Sequence, residues 1–300
     1  MTDFLTSIAG VSLGGGAVAL LLVVLAKLTR GRYGARWRCW AWLLLALRLA
    51  VPLPLLPAGS ASAPIQIQVP PDRVIYQPVR TPRPSAAQPS QPVQTAAPSA
   101  APSSVPVSTP APEVLPTEQT QLAPITVGGI LLALWVTGGA AVLGWNLIAH
   151  FRFKRYLARW CRPAEDADTI RLFNGLCDSL SLHRRPMLRL CPGLAVPMLA
   201  GLFRPLLLLP EEAGGESLRY ALLHELIHYR RRDIWLKTLV LWVNAVHWFN
   251  PLVWLMVRSV ERDTELACDE GALKFLPQEE HAAYGRAILQ AVAALRKEKA

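Results

Sequence analysis

The chain has 300 residues, of which 52% are hydrophobic and 17% charged. Its mean hydropathy is positive, at +0.28. Three hundred residues could form two average domains, but this balance favours a membrane protein over a pair of soluble domains. Several tryptophans stand near the ends of apolar runs, as they do at the boundary between lipid and water. The positive charges cluster beside apolar segments, so the net charge of +10 indicates membrane topology and no direct binding of nucleic acid.

Three apolar segments are long enough to cross a bilayer: Phe4–Leu25, Cys39–Leu56 and Ile125–Ala149. A loop with five positive charges and no acidic residue joins the first two, and a second basic cluster follows the third. Because short basic loops stay in the cytoplasm, both clusters predict the same topology, with the N-terminus outside. We therefore expect two transmembrane helices in residues 1–57 and a third in residues 125–150.

Residues 58–124 have a different character, since they are rich in Pro, Ser, Ala, Gln and Thr and hold more than half of the 26 prolines. Such a stretch buries too little apolar surface to offset its chain entropy, so it predicts a disordered extracellular loop. Within it, the one patch that could order is Ile65–Val69, which alternates like a short strand.

Residues 151–300 are predicted to form a cytoplasmic domain. Ala164–Leu182 has the pattern of an amphipathic helix, and the prolines and glycines of Met187–Pro210 predict short strands and turns. An exposed strand edge there could hold a peptide by main-chain hydrogen bonds, or the sheet could only support the next helix. That next helix is expected over Glu216–Arg232.

The helix over Glu216–Arg232 contains the pattern His-Glu-x-x-His. His224 and His228 are four residues apart, so they share one helix face and can offer two imidazole nitrogens to one metal ion. Glu225 lies next to that face, where it can take a proton from water that attacks a peptide carbonyl. The pattern is typical of zinc hydrolases, although it is short enough to occur by chance. Local candidates for a second oxyanion donor are Tyr229 and Arg230.

A third ligand is needed, and Glu265 is the candidate. It stands four residues before Asp269 on a probable helix, where Asp269 could accept the other ring N–H of a ligating histidine. Glu265 cannot reach the two histidines from across a bilayer, so the apolar run 234–257 should not span it. A break at Asn250-Pro251 would divide this run into a hairpin that dips into the membrane, since proline cannot continue a helix. His247, near the tip, is expected to be packed or hydrogen-bonded.

The five cysteines are scattered and none forms a Cys-x-x-Cys pair. Their odd number and placement argue against a disulfide framework and against a zinc site made of thiolates.

Three ordered motifs carry a family resemblance: residues 224–233, residues 244–254 and residues 265–270. With them the chain resembles the BlaR/MecR-type membrane metallopeptidases, which are antirepressors that respond to β-lactams. More distantly it is similar to the CAAX prenyl proteases and the HtpX heat-shock proteases. The β-lactam sensors carry a final transmembrane helix and an extracellular penicillin-binding domain, and we expect this chain to lack both.

The resemblance implies a mainly α-helical, integral-membrane protein with a gluzincin-like peptidase domain. It implies Zn²⁺ at His224, His228 and Glu265, with Glu225 as the catalytic residue and Asp269 as a hydrogen-bond partner of a ligating histidine. It also implies a bacterial plasma-membrane location and a cytoplasmic protein substrate, such as a winged-helix DNA-binding repressor or the chain itself. Two alternatives stay open: a quality-control protease, and a non-catalytic receptor or scaffold. The signal and the oligomeric state are left open as well.

Overall fold

A computed structural model describes residues 2–29, 33–51, 74–76, 125–211 and 214–298. The described part is mainly helical, and it contains one four-stranded sheet and one two-stranded ladder. This confirms the helical class and the small sheet predicted from the sequence.

The helices of the first half of the chain are α1 (Thr2–Leu28), α2 (Arg36–Ala50) and α3 (Val127–Trp160). Within the described residues, Phe4–Leu28 and Val127–Trp160 are long and apolar enough to cross a membrane. The second predicted span is described only as far as residue 51, and α2 has 15 residues, so that span stays a prediction. Trp42, at 1% exposure, belongs to an apolar core that α2 shares with α1 and later helices.

Most of the predicted disordered loop, Ile65–Val69 included, lies outside the described residues. One part of it, β1 (Val74–Tyr76), forms a strand that pairs antiparallel with β2 (Ile125–Thr126) just before α3. The prediction did not anticipate this strand, although Val, Ile and Tyr are all strand-favouring residue types.

The region after α3 begins with β3 (Arg162–Pro163) and α4 (Ala167–Ser179). The remaining strands of its sheet fall within the segment that predicted short strands: β4 (Met187–Leu190), β5 (Met198–Ala200) and β6 (Leu206–Leu209). The strand order is β3-β4-β6-β5, with β4 and β6 parallel and the other pairs antiparallel. This order leaves β5 at one edge of the sheet.

The cysteine prediction is wrong at one pair, because Cys161 and Cys191 form a disulfide. Arg162 pairs with Leu190 in the antiparallel β3–β4 ladder, so the two cysteines face each other one position beyond that pair. They are 30 residues apart in sequence, and only the strand register brings them together. Cys39, Cys177 and Cys268 are free.

Four helices complete the described part of the chain: α5 (Gly215–Arg231), α6 (Asp233–Val246), α7 (Pro251–Leu273) and α8 (His281–Glu298). A short 3-10 helix, Gln278–Glu280, precedes α8. The helix pair α6–α7 divides the long apolar run at Asn250-Pro251, where the sequence predicts a break.

Asn250 explains the geometry of the α6–α7 break. Its Oδ1 accepts a hydrogen bond of 2.9 Å from the Leu252 N–H, so it caps α7, while Pro251 occupies the first helical position, where no N–H is needed. Its Nδ2 donates to the Ser12 carbonyl at 2.8 Å and to the Ser12 hydroxyl at 2.9 Å. The tip of the hairpin is thereby attached to α1. His247 is fully buried and hydrogen-bonds the Leu49 carbonyl through Nε2, as expected of a packed histidine.

We expect Asn250→Ala to reduce the free energy of unfolding by about 2 kcal/mol, because it removes a helix cap and the amide that pairs with the buried Ser12 hydroxyl. Asn250→Ser should recover only the cap. Thermal unfolding in detergent micelles would measure both. Equal melting temperatures for Asn250→Ala and the parent protein would contradict this role.

Candidate metal centre

Apolar packing fixes the orientation of α5. Leu222, Leu223, Leu226 and Ile227 are at most 2% exposed and belong to a core shared with α4, α7 and α8. With these side chains committed to the core, the remaining face of the helix presents the histidines and Glu225 beside α7 and the sheet.

Three ligand-type atoms from α5 and α7 converge at one point. The Nε2 atoms of His224 and His228 lie 3.1 Å apart. Glu265 Oε2, from α7, lies 3.4 Å from the first and 3.3 Å from the second. The three atoms form a nearly equilateral triangle.

The dimensions of this triangle fit a tetrahedral metal ion. Metal bonds of about 2.0 Å in a tetrahedron separate neighbouring ligand atoms by about 3.3 Å. Lone pairs of two neutral imidazoles and a carboxylate also repel one another at such distances, and a cation between them removes that repulsion. The residues present therefore fit a divalent metal ion with three protein ligands.

The other ring nitrogen of His224 has two oxygen partners. Its Nδ1 lies 2.9 Å from the Tyr284 hydroxyl and 3.2 Å from Asp269 Oδ1. The Tyr284 hydroxyl in turn donates to Asp269 Oδ1 at 2.7 Å. With its proton on Nδ1, His224 keeps the lone pair of Nε2 directed at the centre of the triangle.

Asp233 fixes the tautomer of His228 in the same way, since Oδ2 of Asp233 lies 2.7 Å from Nδ1 of His228. Arg232 brings it there: it has the left-handed φ of +59°, which ends α5 and turns the chain so that the carboxylate of the next residue faces back. Arg231 Nε donates to the same Oδ2 at 3.1 Å. Asp233 is thus buried and held from two sides.

The pKa values show that the arrangement favours positive charge at its centre. Burial lowers the pKa of His228, but hydrogen bonds led by that with Asp233 outweigh it and raise the pKa to about 11. Burial also lowers the pKa of His224. Hydrogen bonds, of which that with Asp269 has the largest effect, outweigh burial and raise this pKa far above its usual range. Burial raises the pKa of Glu265, yet the two histidines beside it hold that pKa well below normal.

Cys268 is a competing candidate ligand, because its Sγ and the two histidines offer atoms within 4.8 Å of one another. Its Sγ, however, lies 3.7 Å from Nδ1 of His224 and donates to the His224 carbonyl at 3.2 Å. The convergent Nε2 atoms face Glu265 instead. The geometry therefore favours Glu265 over Cys268.

Glu225 connects the centre to the sheet. Its Oε2 accepts a hydrogen bond of 2.8 Å from the main-chain N–H of Leu199, on the edge strand β5. Burial raises the pKa of this carboxyl, against the opposing effect of the nearby histidines. A carboxylate with a raised pKa is suited to accept and return a proton near neutral pH.

Three functional side chains were missed in the sequence: Asp233, Tyr284 and Lys237, whose Nζ lies 3.1 Å from Glu265 Oε1. Each reaches the centre through a turn or a tertiary contact that carries no spacing signal.

The two local oxyanion candidates point elsewhere, since the Tyr229 hydroxyl donates to the Arg184 carbonyl and Arg230 stacks on a phenylalanine ring.

Comparison with known proteins places this centre in a family. The model of the BlaR1 peptidase M56 family matches residues 6–300. The chain belongs to the BlaR1 peptidase M56 family. It is therefore a member of a peptidase family whose type implies a metal ion.

Two curated relatives match parts of this M56 chain. It is 26% identical to the regulatory protein BlaR1 of Bacillus licheniformis over 167 residues, which are 55% of this chain and 28% of that protein. It is 33% identical to the methicillin resistance mecR1 protein of Staphylococcus aureus over 98 residues, which are 31% of this chain and 17% of the relative. The chain thus matches less than a third of the length of either relative.

Asp233→Ala should weaken binding of a divalent metal by about 10–100-fold, because His228 loses the partner that fixes its tautomer and orientation. Asp178→Ala is the matched control, since Asp178, on α4, makes an exposed ion pair with Arg185. Titration of purified protein against a chromogenic chelator gives both affinities. Unchanged affinity in Asp233→Ala would contradict the role assigned to Asp233.

Proposed function

We propose that this chain is an integral-membrane zinc metalloendopeptidase, with His224, His228 and Glu265 as ligands and Glu225 as the general base. One observation carries the proposal: two Nε2 atoms and one carboxylate oxygen converge at 3.1–3.4 Å, beside a partly buried glutamate held against a strand edge. Membership of the M56 peptidase family supports hydrolysis of peptide bonds over mere metal storage.

A bound zinc ion supplies a Lewis acid that polarises the scissile carbonyl and acidifies water. The chain's own residues do the rest. As a water molecule attacks the carbonyl carbon, Glu225 takes the proton from that water. Glu225 then gives the proton to the leaving nitrogen when the C–N bond breaks. The Leu199 N–H keeps one oxygen of that carboxylate in place, while Asp233 and Asp269 keep both imidazoles in the tautomer that exposes Nε2.

The edge strand β5 is suited to hold the substrate in an extended conformation. Leu199 faces Leu207 across the antiparallel β5–β6 ladder, and its N–H is directed away from β6, at Glu225. In an antiparallel pair the N–H and C=O of one residue point the same way, so the Leu199 carbonyl faces the same outer edge. A peptide added along this edge would pass beside the general base, which favours the substrate-binding alternative for the sheet.

We further propose that the active site faces the bacterial cytoplasm and cleaves a cytoplasmic protein in transmembrane signalling. The two basic clusters that flank the apolar segments support this orientation. Similarity to the regulatory protein BlaR1 supports signalling over quality control. A DNA-binding repressor and the chain itself are the substrates to test first.

Glu225→Gln should retain zinc and lose peptide-bond cleavage by about 10²–10⁴-fold, because only the proton transfer is removed. Glu279→Gln, on the exposed 3-10 helix, is the matched control. The parent and both variants, in membranes with a co-expressed candidate repressor, would be compared by immunoblot for fragments and by metal analysis for zinc. Cleavage by Glu225→Gln at the parent rate would refute the mechanism.

The orientation can be tested separately at Glu261, an exposed residue of α7 one turn before Glu265. In intact spheroplasts, a membrane-impermeant maleimide should leave Glu261→Cys unlabelled, and permeabilisation should expose it. The parent protein measures the background from its own cysteines. Labelling of the variant above that background in intact spheroplasts would place the site outside and overturn the hairpin topology.

A further inference from the structure

The turn between β5 and β6, residues 201–205, carries an aromatic side chain that the described part of the chain leaves exposed. Phe203 is 82% exposed, whereas Leu207 and Leu208 of the following strand are fully buried. Leaving a phenylalanine in water forgoes the favourable free energy that burial of its ring would contribute. A single exposed apolar residue needs no special explanation, so the surroundings of Phe203 decide whether this one has a partner.

The backbone of the β5–β6 turn is fixed in shape. Gly201 has a φ of +87°, and a Cβ at this position would lie 2.3 Å from the Arg204 carbonyl oxygen. Only glycine fits so close an approach. The turn therefore holds Phe203 outward and does not fold it back onto the sheet.

Among the described residues, Phe203 contacts one other aromatic side chain, and that residue leads to the membrane helices. Its ring lies 5.6 Å from the ring of Trp235, edge to face, and Trp235 is itself 48% exposed. Trp235 belongs to the first turn of α6, and the next residues of α6 pack into the core that contains α1 and α2. The aromatic pair thus lies where the peptidase region meets the membrane bundle.

The apolar surface continues from this pair along α6. Trp242, two turns after Trp235, is 46% exposed and donates to the Ala50 carbonyl at the end of α2. The β5–β6 hairpin, residues 198–209, contains one charged residue, Arg204, and no acidic one. An aromatic tip with a lone arginine suits the boundary between lipid tails and phosphate headgroups.

We propose that the β5–β6 turn is seated in the headgroup region of the lipid bilayer, with Phe203 and Trp235 as its aromatic contacts. Lipid is the partner that this surface fits, since it continues along α6, which packs against α3, a helix long and apolar enough to span a membrane. The same turn ends the edge strand β5, whose Leu199 holds Glu225. Seating the turn in lipid would keep this edge at the membrane surface and favour bonds that lie close to the bilayer.

The test is the immersion of a nitroxide label at Phe203→Cys in the full chain, reconstituted in vesicles of phosphatidylcholine and phosphatidylglycerol. Asp168→Cys on α4 is the water-exposed control, because the Asp168 side chain is 87% exposed. Power saturation compares collisions with oxygen, which concentrates in lipid, and with a nickel chelate, which stays in water. We expect a higher ratio of oxygen to nickel collisions at position 203 than at position 168. Label taken up by the parent protein is subtracted.

Equal ratios at the two positions would overturn the proposal. A label at position 203 that is exposed to water in vesicles, and is immobilised only when a soluble substrate protein is added, would overturn it in favour of a protein-docking surface. Arg204→Cys gives a second probe of the same turn and should show the same raised ratio. None of these measurements requires catalytic activity, so their outcome is independent of the proposed peptidase function.

Discussion

Three electron-pair donors that repel one another lie within 3.4 Å at the centre of this protein, and the surrounding structure holds them there. Two come from α5 and one from α7, so the chain must return to α5 after leaving it through a long apolar segment. The break at Asn250-Pro251 provides that return, and the bonds from Asn250 to Ser12 fix its position against α1. Asp233 and Asp269 supply the negative charge that makes a cation favourable between the donors.

The N-terminal helices and the candidate metal centre form one packed unit, because α2 is attached to α7 on both sides of Glu265. Before it, Asp263 is fully buried and pairs with Arg38 at 3.3 Å and with the Trp42 indole at 2.9 Å. After it, both carboxylate oxygens of Glu270 accept from the main-chain N–H that precedes α2, at 2.8 Å. A buried charge with its partner removed is costly, so these contacts restrict how α2 and α7 can move relative to each other.

What the sequence predicted depended on local spacing. The pairs His224–His228 and Glu265–Asp269 are four residues apart, so helix geometry alone places each pair on one face, and Asn250-Pro251 carries its own steric rule. The missed features depend on tertiary structure. Asp233 reaches His228 through a left-handed residue at the end of α5, and the Cys161–Cys191 bond follows from strand register. Neither leaves a pattern in the order of residues.

The contact of Tyr284 with His224 also could not be predicted from the sequence. Tyr284 reaches His224 from α8, 60 residues away, and only the packing of α8 against α5 brings the two side chains within 2.9 Å. Periodicity could predict that the last segment is an amphipathic helix, but it could not predict which helix that segment contacts. Side chains that orient ligands from a distant element therefore need the three-dimensional structure.

X-ray absorption at the zinc edge of the loaded protein tests the ligand set directly, because it counts the atoms around the ion without any substrate. With His224, His228 and Glu265 as ligands, we expect two imidazole nitrogens and carboxylate oxygen at about 2.0–2.2 Å, with no sulfur. Replacing Glu265 with Ala should remove oxygen from that shell and leave both imidazoles. A sulfur neighbour at about 2.3 Å would show that Cys268 is a ligand and would contradict the site described for His224, His228 and Glu265.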